Sequence, residues 1–228
     1  LGAARSYSNA AAIALKPPIN PQNSRYSLSY YHQQPNVFSV SQLSKLRDKI
    51  LHCPYFVTNN LNRDFIGTKG FSVVFRRSHI SEVERQFPFF KRYLDVALQP
   101  DCNAFYLNPL QLREGSQVYP HIDRSLRSYC KTIEPPDVVS VLYIQVPEGM
   151  RGGDLVLRDH RRQVGQIQPQ ANSLLQFQGN LTHSVTPVET VGFRLSLVCE
   201  QYNLVETELE EIPEFTVESR ATKVKLKL

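Results

Sequence analysis

Three short stretches of the chain carry side chains whose types and spacing suit chemistry: Tyr119-Pro-His-Ile-Asp123, Thr182-His-Ser-Val185 and Gly192-Phe-Arg-Leu-Ser196. In an extended strand, residues two apart point to the same side. His121 and Asp123 can therefore aim an imidazole and a carboxylate at one point, and His183, on a later strand-like segment, offers a second imidazole. Two His and one carboxylate on one face, with the remaining positions open, suit non-haem Fe(II). The nitrogens match a borderline metal, the carboxylate offsets part of its charge, and open positions admit a bidentate co-substrate and dioxygen.

Past His183 comes Phe193-Arg-Leu-Ser-Leu-Val-Cys199. Its alternation sends Phe193, Leu195, Leu197 and Cys199 to one face and Arg194, Ser196 and Val198 to the other. An Arg in the middle of an apolar strand is costly without an anionic partner. A dicarboxylate supplies one, because guanidinium grips carboxylate through two parallel hydrogen bonds, and Ser196 shares that face.

The elements that must position these groups follow from pattern. Leu43, Leu46, Ile50 and Leu51 form an apolar stripe, so a helix is expected over 41–52, stopped by Pro54. Ser81-Glu82-Val83-Glu84 has the form of a capping box opening a helical stretch to about Leu98, interrupted at Pro88. From Ala104 onward short apolar runs recur between Gly, Pro, Asn and Asp: 104–107, 118–121, 138–146, 154–157, 173–177, 183–185 and 193–199. That texture predicts an antiparallel sandwich or barrel. The expected class is α+β, mainly β. Residues 1–40 form an irregular basic arm, 41–203 a single domain with its β core at about 104–203, and 204–228 a tail that is acidic and then Lys-rich. The alternation at Lys223–Leu228 would suit either an edge strand or a solvated end.

The order H-x-D, then His, then Arg with a following Ser, resembles the Fe(II)/2-oxoglutarate-dependent dioxygenases, and within them the prolyl 4-hydroxylase-like group. The resemblance spans roughly 104–203 and includes Gly115, Gly152-Gly153-Asp154-Leu155-Val156-Leu157, Asn172–Phe177 with Gly179, and Pro187-Val188. It implies a double-stranded β-helix core (jelly-roll, cupin-like) with N-terminal helices packed on one sheet. It also implies His121, Asp123 and His183 as ligands of Fe(II), and Arg194, Ser196 and Tyr143 as contacts of the far carboxylate of 2-oxoglutarate. The implied reaction is hydroxylation of a C–H bond of a peptide, protein residue or small molecule, using O2, with ascorbate as reductant. 2-Oxoglutarate is decarboxylated to succinate and CO2. Nothing beyond the iron ligands is expected to be catalytic. The group's two motif tyrosines are Leu112 and Val118 here, and the carboxylate-binding base is Arg where collagen-type members use Lys. Asp123 is intact, unlike in the halogenating branch.

Single residues of this set carry little weight; the joint order and the β context carry the reading. A nucleic-acid demethylase of the same superfamily would have a further Arg where this chain has Glu200. The remaining alternative is a catalytically silent β-sandwich binding protein. Selectivity is expected from residues 53–80 and 124–136, which include Tyr55, Phe56, Phe65, Arg76, Arg77 and Tyr129, with Arg124 and Arg127 as substrate contacts.

Composition narrows the partners. The net charge of +5 belongs to the first 50 residues, where Arg5, Lys16, Arg25, Lys45, Arg47 and Lys49 face Asp48 alone. The rest balances, with no phosphate track, so nucleic acid is disfavoured. No apolar run approaches the roughly 18 residues of a membrane span. Four scattered Cys without a C-x-x-C pair read as reduced thiols and the protein as soluble and cytoplasmic, of open oligomeric state.

Overall fold

A computed structural model describes residues 29–59, 65, 66 and 68–221. Strand β1 (Tyr31–Pro35) leads into helix α1 (Val40–Leu51), which a capping box starts: Gln42 N–H donates to Ser39 Oγ, and Ser39 N–H to Gln42 Oε1 at 2.9 Å. Leu46 and Ile50 are the buried stripe. Strands β2 (Val57–Asn59), β3 (Phe65–Ile66), β4 (Thr68–Gly70) and β5 (Ser72–Arg76) precede helix α2 (Ile80–Gln86). A short turn of 3-10 helix at Pro88–Phe90 links α2 to α3 (Lys91–Ala97). The Ser81 capping box is not formed: α2 begins one residue earlier and has no side-chain cap, because Arg77–His79 already winds into it as a 3-10 turn.

The β unit follows as β6 (Ala104–Arg113), β7 (Gln117–His121), β8 (Val138–Gln145), β9 (Leu155–Asp159), β10 (Arg162–Ile167), β11 (Ser173–Gln178), β12 (Thr182–Val185) and β13 (Phe193–Tyr202). Helix α4 (Glu206–Leu209) and strand β14 (Phe215–Glu218) end the described chain. All pairings are antiparallel. One sheet runs β1-β11-β8-β13-β6-β4-β2, with β5 beside the first half of β6 and β14 outside β5; the other runs β10-β9-β12-β7-β3. This is the expected jelly-roll. Pro109 sits inside central β6 at the point where its outer partner changes from β5 (to Leu107) to β4 (from Leu110), so its missing N–H interrupts no ladder on that side.

Burial divides into three bodies. Leu110, Leu112, Val118, Val141, Tyr143, Leu157, Leu175 and Val185 fill the space between the two sheets. Phe38, Leu46, Ile50, Phe90, Tyr93 and Leu94 pack on the outer face of the larger sheet, against Phe75, Phe105, Leu107, Leu142, Leu195 and Leu197. Val74, Tyr106, Leu126, Ile133, Tyr202 and Ile212 close one end. Phe105 stacks on Phe75 of β5 at 5.0 Å, with the Arg77 guanidinium 5.1 Å from its ring centroid.

Two segments differ from expectation. Part of the arm placed at 1–40 is the edge strand β1, paired with β11 from Tyr31↔Phe177 to Pro35↔Ser173. The tail from 204 also folds onto the domain. Arg76 holds it by donating to the carbonyls of Ile212 (2.8 Å) and Glu210 (2.9 Å), and β14 pairs with β5. Lys223–Leu228 lies outside the described residues. All four cysteines are free thiols. Among the described residues no helix is long and apolar enough to cross a membrane. Replacing Phe105 by Ala empties a site with no exposure and is expected to cost about 3–5 kcal/mol of stability, measured by urea unfolding.

Candidate metal and co-substrate centre

β7 ends at His121, and β12 lies antiparallel beside it with His183 directly opposite. Asp123 follows two residues past the strand end. The three groups converge: His121 Nε2 is 3.2 Å from Asp123 Oδ1 and His183 Nε2 is 3.4 Å from Asp123 Oδ2. The ligand atoms of all three lie within 4.8 Å of one another, the one such grouping among the described residues. Each imidazole is oriented by its own strand. His121 Nδ1 meets the Tyr119 carbonyl at 2.7 Å and His183 Nδ1 meets the Leu181 carbonyl at 3.2 Å. A carbonyl only accepts, so both Nδ1 atoms carry hydrogen; each Nε2 donates to Asp123 in the imidazolium form and in the neutral ring offers its lone pair to a metal. Phe177 packs edge-on to His183 at 5.1 Å.

The electrostatics suit a cation. Burial alone would raise the Asp123 pKa, yet the charges and hydrogen bonds of the two imidazoles hold it below the usual carboxylate range. Burial works against charge on His121, and the Asp123 hydrogen bond and charge outweigh it, raising that imidazole.

On the facing sheet, Ser196 stands opposite Tyr143 across the β13–β8 pair, with Arg194 two residues before it. All three are buried. Arg194 Nη1 donates to the Gly153 carbonyl, and the guanidinium lies 5.2 Å from the Tyr143 ring centroid. Arg194 Nε, Tyr143 Oη and Ser196 Oγ have no hydrogen-bond partner. Buried donors are almost always satisfied, so three orphaned together require an acceptor, and a carboxylate is the acceptor that also answers the charge. Burial lowers the Arg194 pKa and raises that of Tyr143. The Gly-Gly pair shapes this end as a turn before β9. Both glycines have φ near +70°, and a Cβ on Gly152 would lie 1.9 Å from the Pro187 carbonyl oxygen.

One cavity of about 420 Å³ contains His121, Asp123, His183, Arg194 and Tyr143. Ser196, opposite Tyr143 and two residues on from Arg194, is not itself among the lining residues. Arg124 lines the mouth, exposed. Arg127 does not line it: its Nε donates to the Ile133 carbonyl at 2.6 Å and braces the 125–133 loop. Nor do Arg76 and Arg77, whose guanidiniums bind carbonyls, or Tyr55 and Phe56, which pack on the helix-side core. The side chain of Phe65 lies outside the described residues. Sequence reasoning missed Asn108, Tyr106 and Glu218, which line the cavity, and treated Glu200 only as the place of a missing Arg. Extending the Arg194/Ser196/Val198 alternation by one step would have found Glu200.

Residues 106–199 match the family description of the 2OG-Fe(II) oxygenase superfamily. Over that segment the chain carries the 2OG-Fe(II) oxygenase pattern. It is 26% identical over 166 residues to a PKHD-type hydroxylase of Shewanella baltica, covering 68% of this chain and 70% of the relative. The fold is similar to a Pseudomonas putida prolyl-4-hydroxylase (TM-score 0.50, 16% identity, 78% of this chain and 95% of that one). It is also similar to a 2OG-Fe(II) oxygenase family oxidoreductase from Burkholderia pseudomallei (TM-score 0.52, 12% identity, 77% and 86%). A third similar fold is a Trichoplax adhaerens prolyl hydroxylase in complex with a peptide fragment of hypoxia inducible factor (TM-score 0.50, 16% identity, 80% and 87%). The match to that superfamily makes Fe(II) and 2-oxoglutarate the expected cofactors, and the His-Asp-His grouping and the orphaned donors fit both.

Two outcomes follow for the oxygenase centre. Gly152→Ala places a methyl group inside van der Waals range of backbone at positive φ, so the thermal midpoint should fall by several degrees in a calorimetric scan. Burial, followed by the charge of Asp123, pushes Glu200 up to about 8. The folded state then binds a proton that the unfolded state releases near 4.5, so metal-free protein should lose stability as pH rises between those values. Denaturation across that window should show a flatter profile for Glu200→Gln.

Proposed function

We propose that the chain is an Fe(II)- and 2-oxoglutarate-dependent hydroxylase in which His121, Asp123 and His183 hold the metal and Arg194, Tyr143 and Ser196 hold the far carboxylate of 2-oxoglutarate. The observation that carries this is one cavity with a convergent His-Asp-His set and, apart from it, unpartnered buried donors around a guanidinium. When bound, Fe(II), 2-oxoglutarate and O2 supply the oxidation, in which 2-oxoglutarate yields succinate and CO2 and one oxygen atom enters a substrate C–H bond. Ascorbate would serve as the reductant that keeps the iron Fe(II).

The chain's own part is positioning. The two carbonyl-anchored imidazoles present fixed lone pairs, and the Asp123 carboxylate stays charged and offsets part of the metal's charge. Arg194, held flat by the Gly153 carbonyl and the Tyr143 ring, offers its remaining N–H groups to a carboxylate, with two hydroxyls to complete the cradle. Leu155, Val185, Phe177 and Val141 keep that end of the cavity apolar and exclude water. The substrate enters from the mouth marked by Arg124 and carries the C–H bond; a peptide or small molecule fits this reading. The domain responsible is proposed to run through the described chain, including β1 and β14.

With Fe(II), 2-oxoglutarate and ascorbate, succinate release should be measurable in the wild type and absent in His121→Ala. Arg194→Gln removes one partner of a buried charge-assisted contact, worth about 2 kcal/mol or more, so 2-oxoglutarate should bind at least ~30-fold more weakly. Wild-type protein that neither binds 2-oxoglutarate nor releases succinate would overturn the assignment.

A further inference from the structure

The cavity's outer half has a chemistry that neither metal nor co-substrate uses. Three acceptors line it: the carboxylates of Glu200 and Glu218 and the side-chain carbonyl of Asn108. β13 and β6 pair Glu200 with Tyr106 and Val198 with Asn108, while β14 and β5 pair Glu218 with Ser72. Ser72 Oγ donates to the Tyr106 hydroxyl, whose pKa is raised first by burial and further by the charges of Glu200, Glu218 and Tyr129. The two carboxylates thus sit on one wall, either side of Tyr106.

Among the described residues neither carboxylate forms an ion pair. Glu200, 3% exposed, accepts from Ser125 N–H at 3.2 Å, from Ser125 Oγ at 2.5 Å and from the Tyr202 hydroxyl; Glu218, half-buried, accepts from the Tyr129 hydroxyl. These neutral donors fix both side chains without neutralising them. The nearby cations are engaged elsewhere: Arg76 on the carbonyls of Ile212 and Glu210, Arg127 on Ile133 and Glu134. Arg124 is exposed at the mouth.

A second observation points to a ligand with donors. Asn108 is 6% exposed, and its Oδ1 has no hydrogen-bond partner although it borders the cavity. 2-Oxoglutarate has only acceptor oxygens, so it cannot satisfy that atom. We propose that the Glu200–Glu218 wall is a cation subsite, so that the substrate carries an ammonium or guanidinium group there while its reacting C–H bond lies toward His121, Asp123 and His183. This rests on the hydroxylase reading above. Buried Glu200 resists charge while no cation is present, and a bound one restores it.

Titration calorimetry of the full chain tests the subsite directly. The probes are blocked tripeptides acetyl-Gly-Xaa-Gly-amide with Xaa as Lys, Arg, norleucine, Gln or Pro, and 1,5-diaminopentane against pentane-1,5-diol. Cationic probes are expected to bind about tenfold or more tightly than their neutral counterparts. That preference should fall to within about threefold in Glu218→Gln and in Glu200→Gln. Both variants keep side-chain shape, and a thermal scan verifies folding; half-buried Glu218 keeps the test open should Glu200→Gln not fold. Neutral probes binding as well as cations, no cation binding, or a preference that survives both variants would overturn the proposal. Titrating 2-oxoglutarate with Mn(II) separately tells the two readings apart, since its failure counts against the hydroxylase assignment while the metal-free chain still reports cation preference.

Discussion

Arg194 is a guanidinium 3% exposed in a central strand, with no carboxylate in ion-pair range among the described residues and its Nε unbonded. Burying such a group costs several kcal/mol even after relaxation unless its charge and donors are met. Much of the surrounding structure is a response to that cost. The Gly152-Gly153 turn, possible only because Gly152 lacks a Cβ, brings a carbonyl to Nη1. Tyr143 lends its ring face. What remains unmet is what the proposed dianionic co-substrate would supply, so 2-oxoglutarate bound there should stabilise the domain by mass action.

The His-Asp-His end, the candidate metal centre, is built by a different device. Each histidine is anchored to a carbonyl two residues back on its own chain, at Tyr119 and Leu181, so imidazole orientation is a local property of each strand. Convergence is non-local and comes from the register His183↔His121. A one-residue slip of β12 against β7 would turn His183 to the opposite face. The apolar positions of these strands, Val118 and Val185 facing the inter-sheet core, resist that slip. Packing between the sheets thereby sets the ligand geometry.

Period-two alternation made much of this legible. It placed Arg194 and Ser196 on one face of β13 and His121 with Asp123 at the end of β7; the spacing of short strands gave an antiparallel sandwich or barrel, and the family resemblance made it a jelly-roll. What was not legible depended on partners distant in the chain. β1 is polar and Pro-containing and is a strand only because β11 offers a free edge. Acidic β14 likewise folds because Arg76 and β5 capture it. Glu218 could not be placed in the cavity without that capture. Arg127 shows the converse error: a basic side chain near a site is equally suited to capping carbonyls, and the Ile133 carbonyl claims it. At Ser81 a correct local signal lost to the 3-10 turn that had already started the helix.

The two halves of the cavity are therefore built from parts of unequal replaceability. Arg194, Tyr143 and Glu200 project from β8 and β13, strands paired on both sides in the interior of the larger sheet. The charge of Asp123 moreover acts on Glu200, so altering Glu200 would be felt at the His-Asp-His end. Glu218 projects from β14, which pairs with β5 alone, and Arg124 from the loop that leads into the Arg127-braced turn. A sheet edge and a surface loop tolerate change that a central strand does not. On the proposed reading, the oxidation falls to the doubly paired interior strands of the fold and the choice of guest to elements at its margin, with Glu200 as the residue on which both depend.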